Sequence, residues 1–250
     1  MKTIAFTIAD KNNLPYYEMM SKTFKKFHPD IELRLYGDKE IKEYNDSGFF
    51  YRATPIIAKN LMDEGYELVL KLDSDQLILG NLKYVFKGDY DIGTVLNINR
   101  VDPSRYGLVS TYNIPPNRYM NCGFVAMTSK RFVDNWYRLC HSPLFNSLQY
   151  KEQDILNILY HYGDYKTKCF DDYDNVYGYY AFHGLVAKGE GMRMVVRKDK
   201  VILPRGEDGY PDRDIVVKAY HWAGGAGEVK MNYRISFSEE VIDYIDTLLK

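Results

Sequence analysis

One segment, residues 66 to 81, constrains the fold of this chain more than any other. It reads YELVLKLDSDQLILGN, an apolar strand that runs into Asp73 and Asp75 and is followed by a second apolar run. In an open α/β sheet, ligands bind beyond the carboxyl ends of the strands, so this pattern predicts two carboxylates at such an edge. Carboxylates are hard oxygen ligands that suit a divalent cation. Other Asp-x-Asp triplets follow no comparable apolar strand; they lie at 89–91, 172–174 and 212–214.

The sequence before Asp73 alternates between strand-like and helix-like patterns. Strands are predicted at 3–9, 31–36 and 66–72, and helices at 14–27 and 54–64. The first helix has a proline in its first turn and the second is closed by Gly65, as helix ends favour. This β-α-β-α-β order predicts an α/β fold with a Rossmann-like, mostly parallel central sheet flanked by helices.

Shorter elements are predicted after residue 90. The strands expected there are 91–96, 121–128, 192–197, 201–203 and 215–220, the late ones forming a small antiparallel element. The helices expected are 129–140, with Ser129 as N-cap, and 151–162. Residues 97 to 118 contain three prolines and little periodicity, so a long loop is predicted. Ser236 and Glu239 have capping-box spacing, which predicts a terminal helix over 236–250.

Composition limits the classes of function. The net charge is −1 with dispersed basic residues, which does not predict a nucleic-acid partner. Three widely spaced cysteines without a CxxC pair indicate reduced thiols, and so a cytoplasmic protein. The apolar N-terminus is short and ends at Asp10, so a first strand is expected there rather than a signal peptide. No uncharged apolar run of about 18 residues predicts a transmembrane segment.

Four further motifs carry chemistry, and each also has a purely structural interpretation. Asp10 and Asn12 follow the first strand, where a simple turn would use the same residue types. Asn121 and Gly123 open a strand, where a bulge would explain the glycine but not the asparagine. The Glu-Gln-Asp run at 152–154 begins a helix, where acidic residues are common. His221 ends a strand, where a lone histidine is more often structural. It precedes a glycine-rich stretch, whose backbone amides could cradle a phosphate.

Taken together and in this order, these motifs resemble the retaining glycosyltransferases of family 8, which have the GT-A fold and include glycogenin and lipopolysaccharide galactosyltransferases. The matching fragments extend from residue 4 to about residue 230. The resemblance implies a single domain, 1–250, with a nucleotide-binding half at 1–96 and a donor-sugar and acceptor half at 97–235. It also implies that Asp73, Asp75 and His221 bind a metal ion. Two carboxylates and an imidazole suit Mn²⁺ better than Mg²⁺, which is the alternative ion.

The resemblance implies roles for other residues as well. Asp10 and Asn12 would meet the base and ribose of the nucleotide, and Gln153 would lie beneath the anomeric carbon of the donor sugar, with Asp154 on its hydroxyl groups. The remaining donor-binding candidates are Ser74, Asn121, Gly123, Gly224 and Lys230, with either Arg52 or Lys59 on the diphosphate or the donor sugar. The chain departs from the family pattern after His221, since Gly227 replaces the expected lysine and Lys230 comes three residues later.

The function that this resemblance implies is transfer of a hexose from a UDP-sugar to an acceptor hydroxyl, with retention of anomeric configuration. The acceptor would be a glycan, a lipid-linked glycan or a protein. Three alternatives remain open: an inverting GT-A-like transferase, a sugar nucleotidyltransferase, and a catalytically degenerate glycan-binding domain. Nucleotidyltransferases usually have a glycine-rich loop after the first strand, and residues 9 to 15 contain no glycine.

Overall fold

The computed structural model describes residues 1–44, 50–97, 112–114, 118–170, 178–181, 194–204, 214–222 and 233–250. The described strands are β1 Thr3–Ile8, β2 Glu32–Tyr36, β3 Leu68–Leu72, β4 Gln76–Ile78, β5 Ile92–Leu96, β6 Met120–Met127, β7 Thr167–Cys169, β8 Gly178–Ala181, β9 Val195–Val196, β10 Val201–Leu203 and β11 Ile215–His221. The described helices are α1 Leu14–Phe27, α2 Asp38–Tyr44, α3 Ala53–Asp63, α4 Lys130–Cys140, α5 Leu144–Ser147, α6 Lys151–Tyr162, α7 Tyr233–Ser236 and α8 Glu239–Leu249.

The chain divides into two compact units. The first comprises residues 1–12, 31–73 and 83–169, and the second comprises the described parts of 13–30, 74–82 and 170–250. The two units correspond to two sheets, one of six strands and one built around β11. The prediction of a mostly parallel sheet together with a small antiparallel element is therefore confirmed.

The sheet of the first unit has the strand order β2-β1-β3-β6-β5-β7. Strand β1 pairs in parallel with β2 and β3, as the alternating strands and helices predict. Strand β6 runs antiparallel to both of its neighbours, β3 and β5. Because of this reversal, the start of β6 lies beside the carboxyl end of β3, and the N–H of Asp73 donates to the carbonyl oxygen of Gly123 at 2.8 Å. Two of the sequence motifs thus meet at one sheet edge.

Helices α3, α4 and α6 pack on this sheet, and α4 also packs against both α3 and α6. Their shared core includes fully buried Ile57, Leu61, Phe132 and Trp136. The predicted N-cap of α4 is confirmed, because the hydroxyl of Ser129 accepts a hydrogen bond from the backbone N–H of Phe132 at 3.2 Å. The apolar faces that gave these helices their periodicity are therefore the faces that bury the core.

In the second unit, β11 pairs antiparallel with β4 and β10, and β10 pairs antiparallel with β9. Strand β8 adds to β11 in parallel. Helix α1 contacts β4 and α8, and the hydroxyl of Thr23 on α1 accepts a hydrogen bond from the N–H of Ile78 at 3.1 Å. A helix near the start of the chain thus stabilises the strand that follows Asp75.

Several elements differ from the sequence prediction. The terminal helix begins at Glu239 with Ser238 as its N-cap, since Ser236, the predicted cap, ends the short helix α7. Helices α2 and α5 and strands β7 and β8 are not predicted, because segments of three to seven residues carry too little periodicity to be recognised. Most of the predicted loop 97–118 lies outside the described residues. Within the described residues, no helix combines the length and the apolar character that crossing a bilayer requires.

Candidate functional site

The two aspartates of the 66–81 segment occupy the short connection between β3 and β4. Asp73 follows the last residue of β3, and Asp75 precedes the first residue of β4. His221 is the last residue of β11, and its register partner on β4 is Gln76. The N–H of Trp222 donates to the carbonyl oxygen of Asp75 at 3.1 Å, which fixes the end of β11 against this connection. Strand pairing therefore brings a distant histidine to the Asp-x-Asp motif.

The side chains of this motif converge. Asp73, Asp75 and His221 each offer one ligand atom, and these atoms all lie within 4.8 Å of one another. Nε2 of His221 lies 3.0 Å from Oδ1 of Asp75, and the imidazole is almost completely buried. Ligands bound to one hard cation at about 2.0 to 2.6 Å are separated by no more than about 5 Å, so the three atoms are close enough to share an ion. The donor set fits a divalent metal.

Lys71 contacts the Asp-x-Asp motif, and the sequence motifs do not identify it. It lies inside the fully buried strand β3, and it is only 5% exposed. Its ammonium group forms an ion pair with Oδ1 of Asp73 and donates to the carbonyl oxygen of Cys122 at 2.8 Å. Burial opposes the charged form, but the carboxylate of Asp73 raises the pKa of Lys71. A lysine in an otherwise apolar strand was the available signal, since buried lysines require a partner.

The start of β6, which contains the Asn-x-Gly motif, is irregular, and the asparagine side chain is part of that irregularity. The pairing of β5 with β6 shifts register between Thr94 and Val95, so an irregularity is present as expected for a bulge. The amide of Asn121 is buried, with its oxygen accepting from the N–H of Gly123 at 2.6 Å and its nitrogen donating to Asn97 at 2.9 Å. The asparagine therefore holds this irregular backbone in place directly beside Asp73.

Helix α6 is tied to the same stretch of β6. The side-chain oxygen of Gln153 accepts a hydrogen bond from the N–H of Cys122 at 2.9 Å. The amide of Asn157 makes two hydrogen bonds to the backbone of Met120. It accepts from the N–H at 2.6 Å and donates to the carbonyl oxygen at 2.9 Å. Gln153 and Asn157 lie four residues apart on one face of α6, so both amides contact the backbone of one strand.

Asp154 is completely buried on this helix. Its carboxylate accepts hydrogen bonds from the hydroxyl of Tyr119 at 2.5 Å and from the N–H of Tyr150 at 2.7 Å. Burial raises the pKa of Asp154, although the Tyr119 hydrogen bond works in the opposite direction. Burial, together with the neighbouring carboxylate, also raises the pKa of Tyr119, so its hydroxyl stays a donor. Oδ1 of Asp154 thus joins α6 to the residue before β6, whereas Oδ2 satisfies the backbone N–H at the start of α6.

The preceding residue, Glu152, is a half-buried acid. Its Oε2 atom is buried and has no hydrogen-bond partner among the described residues. Burial raises the pKa of Glu152 well above the ordinary value for a carboxyl group, and the nearby charge of Lys71 only partly offsets this.

The other predicted residues lie in different surroundings. Oδ1 of Asp10 accepts from the N–H of Asn12 at 3.0 Å, which forms a turn. Since β1 and β3 are parallel neighbours, this turn leaves the sheet at the same edge as Asp73. Arg52 donates to the carbonyl oxygen of Cys140 at 3.2 Å and lies over the ring of Phe145.

Lys59 is paired with Asp63 at 2.5 Å and lies 3.9 Å from Asp134. Ser74, between the two motif aspartates, is buried. Gly224 and Lys230 lie outside the described residues. Among the described candidates, Asp75 and His221 offer ligand atoms close to that of Asp73, and Gly123 contacts the backbone of Asp73.

Solved structures with the same fold match this chain at low sequence identity. One is the galactosyltransferase LgtC in complex with donor and acceptor sugar analogs, at 18% identity and a TM-score of 0.54 over 99% of this chain and 95% of that one. Another is the bifunctional glycosyltransferase WbbM, at 14% identity and a TM-score of 0.58, with 99% of this chain covering 49% of that one.

A third is a glycosyltransferase involved in the glycosylation of the major capsid of PBCV-1, at 11% identity and a TM-score of 0.52 over 99% of this chain and 98% of that one. No protein-family model and no curated protein sequence matches this chain. The likeness in three dimensions shows that the chain has the GT-A glycosyltransferase fold.

Proposed function

We propose that this protein is a metal-dependent glycosyltransferase that moves a hexose from a UDP-sugar to an acceptor hydroxyl with retention of anomeric configuration. The observation that carries this proposal is the convergence of Asp73, Asp75 and His221 on a fold shared with LgtC, which was solved with donor and acceptor sugar analogs. A cytoplasmic location is part of the proposal, and the wide spacing of the three cysteines, with no CxxC pair, supports it.

Asp73, Asp75 and His221 would hold the divalent ion, and the imidazole nitrogen favours Mn²⁺ over Mg²⁺. When bound, such an ion neutralises the negative charge that develops on a diphosphate leaving group. The protein's own task is to keep the two carboxylates at the sheet edge. The hydrogen bond from the N–H of Asp73 to Gly123 and the pairing of β4 with β11 do this through backbone contacts.

Gln153 would lie beneath the anomeric carbon of the donor sugar. The N–H of Cys122 can only donate, so it fixes the amide of Gln153 with its oxygen toward β6. A carbonyl oxygen has two lone pairs, and the second can stabilise positive charge on the sugar ring. An active-site mutant of LgtC in which glutamine is replaced by glutamate has also been solved. LgtC therefore has a glutamine in its active site, which supports the role proposed here for Gln153.

The remaining donor contacts are assigned by position. Asp10 and Asn12 would meet the nucleotide at the edge shared with Asp73, with Ser74 and the Asn121–Gly123 backbone nearer the diphosphate and sugar. Gly224, Lys230, Arg52 and Lys59 are proposed for the diphosphate on the motif resemblance. For Asp154 we propose a positioning role, in which it holds the helix that carries Gln153. Its carboxylate already accepts hydrogen bonds from Tyr119 and Tyr150.

The direct test is a transfer and hydrolysis assay with a panel of nucleotide sugars, with Mn²⁺ and with a chelator. We expect release of UDP only when metal is present, and proton NMR of the first product should show the anomeric configuration of the donor. Inverted product would favour an inverting transferase. Release of inorganic pyrophosphate from a sugar phosphate and a nucleoside triphosphate would favour a nucleotidyltransferase, and glycan binding without turnover a degenerate domain.

A further inference from the structure

Lys71 places a fixed positive charge on a proposed metal ligand. Its ammonium group lies in the interior of β3 and contacts the carboxylate of Asp73. Its other hydrogen bond goes to the carbonyl oxygen of Cys122. An ammonium group without a partner is strongly disfavoured in such surroundings, so the Asp73 contact keeps Lys71 charged and in place.

This contact changes the charge that an incoming ion meets. Asp73 and Asp75 carry two negative charges and a metal-binding imidazole is neutral, so Lys71 leaves the group with one net negative charge. A divalent cation alone would then leave the site with excess positive charge. A nucleotide diphosphate brings negative charge of its own, so ion and diphosphate together suit the site better than the ion alone.

The backbone links the same lysine to the rest of the site. The peptide of Cys122 accepts from Lys71 through its carbonyl oxygen, and its N–H donates to Gln153. The next residue, Gly123, accepts from the N–H of Asp73. Lys71 therefore lies between the proposed metal ligand and the segment that orients the glutamine, and its burial keeps its charge out of bulk water.

We propose that Lys71 is a positioning residue whose charge weakens binding of the bare divalent ion at Asp73 and strengthens binding of the donor diphosphate. Ion and donor are thereby taken up together rather than ion first. This inference rests on the function proposed above and deepens it, because it assigns the order of binding to one residue. The inference also distinguishes an electrostatic role of Lys71 from a structural one. A purely structural lysine would affect the binding of cation and anion in the same direction.

The test measures binding rather than turnover. Free Mn²⁺ is followed by electron paramagnetic resonance during titration of the full chain, with and without UDP, and UDP binding without metal is measured by calorimetry. Lys71→Gln removes the charge but keeps an amide donor toward Asp73 and Cys122, whereas Lys71→Met removes both. Lys71→Arg retains the charge. Lys130→Met is the matched control, because Lys130 is ion-paired with Asp63, which is not a proposed metal ligand.

We expect both neutral variants to bind Mn²⁺ alone at least about tenfold more tightly than the wild type, and UDP alone about threefold or more weakly. Lys71→Arg and Lys130→Met should stay close to the wild type. If the wild type binds Mn²⁺ in the presence of UDP, but the neutral variants bind Mn²⁺ alone no more tightly than the wild type does, the role of Lys71 is wrong and the proposed function stands. If the wild type binds no Mn²⁺ even with UDP, the metal site itself is wrong, and this inference fails with it.

Discussion

The side-chain oxygen of Gln153 lies 2.9 Å from the backbone nitrogen of Cys122, and this hydrogen bond joins helix α6 to the edge where β3 ends. The neighbouring residue of Cys122, Gly123, accepts from the N–H of Asp73. One short stretch of β6 therefore orients both the proposed metal ligand and the proposed catalytic amide. Its antiparallel direction is what makes this arrangement possible.

Gln153→Ala should slow sugar transfer by about ten- to a hundredfold, equivalent to about 1.4 to 2.7 kcal/mol of barrier, because the oxygen facing the sugar is lost. The measurement is kcat with saturating donor and Mn²⁺. Gln149→Ala is the control, since Gln149 is an exposed glutamine just before the same helix. Equal kcat values in the two variants would remove Gln153 from the mechanism.

Asp75→Asn should abolish turnover and weaken Mn²⁺ binding by a hundredfold or more, because a charged oxygen ligand becomes a neutral amide. His221→Gln should have a milder effect, since both carboxylates remain. Binding of Mn²⁺ in the presence of UDP is the quantity to measure. Asp89→Asn changes an exposed aspartate of another Asp-x-Asp triplet and should leave binding unchanged. A similar loss in that control would mean that the effect is one of overall charge.

Tyr119→Phe should lower the free energy of unfolding by about 1 to 3 kcal/mol, because the buried carboxylate of Asp154 loses a hydrogen-bond donor. Urea denaturation at neutral pH measures this difference. Tyr162→Phe serves for comparison, since Tyr162 is 58% exposed and its hydroxyl bonds to a surface carbonyl. If both variants lose the same stability, the Tyr119 contact is not a buried, stabilising one.

The stability of the protein should fall as the pH is lowered from about 6.5 to about 4, in part because of His28. Burial lowers the pKa of His28 from 6.5 to about 4, and its Nε2 atom accepts a hydrogen bond from the N–H of Leu82 at 3.1 Å, which requires the neutral ring. In this window the unfolded chain binds a proton that the folded chain does not. The contribution is therefore complete above pH 6.5 and is lost as the pH falls toward 4.

His28→Gln should flatten this part of the pH dependence, although the variant will be less stable at neutral pH. Urea midpoints measured at half-unit intervals between pH 7 and pH 4 provide the comparison. Replacing the exposed His141 by glutamine should leave the slope unchanged. An unaltered slope in His28→Gln would assign the acid sensitivity to other groups.

Local sequence patterns were sufficient for the elements that carry the sheet. Helix α1 has the predicted bounds of 14–27, and strands β1, β3 and β6 lie within one or two residues of prediction. The placement of Asp73 at a strand end follows from the apolar run before it. These features depend on periodicities of two and 3.6 residues, which a single segment expresses without reference to the rest of the chain.

The roles of individual side chains depended on contacts between distant segments. His221 meets Asp75 across 146 positions in the chain, because β11 pairs with β4. Arg52, which is basic and plausible from spacing, donates to the carbonyl oxygen of Cys140, 88 positions away. Helical spacing predicts a contact such as Lys59 with Asp63 four residues later, but it cannot reveal a contact with a distant segment such as that of Arg52.

The sequence by itself determined the alternation of strands and helices, the carboxylate pair at the end of β3 and the order of the motifs. Only the tertiary structure decided that β6 runs antiparallel, that Lys71 contacts Asp73 and that Asp154 is buried beneath Tyr119. The physical reason is that local pattern reports which face of an element is apolar. Strand direction and the partners of buried charges are instead set by how all the elements pack together, because a buried charge is stable only where another segment supplies its partner.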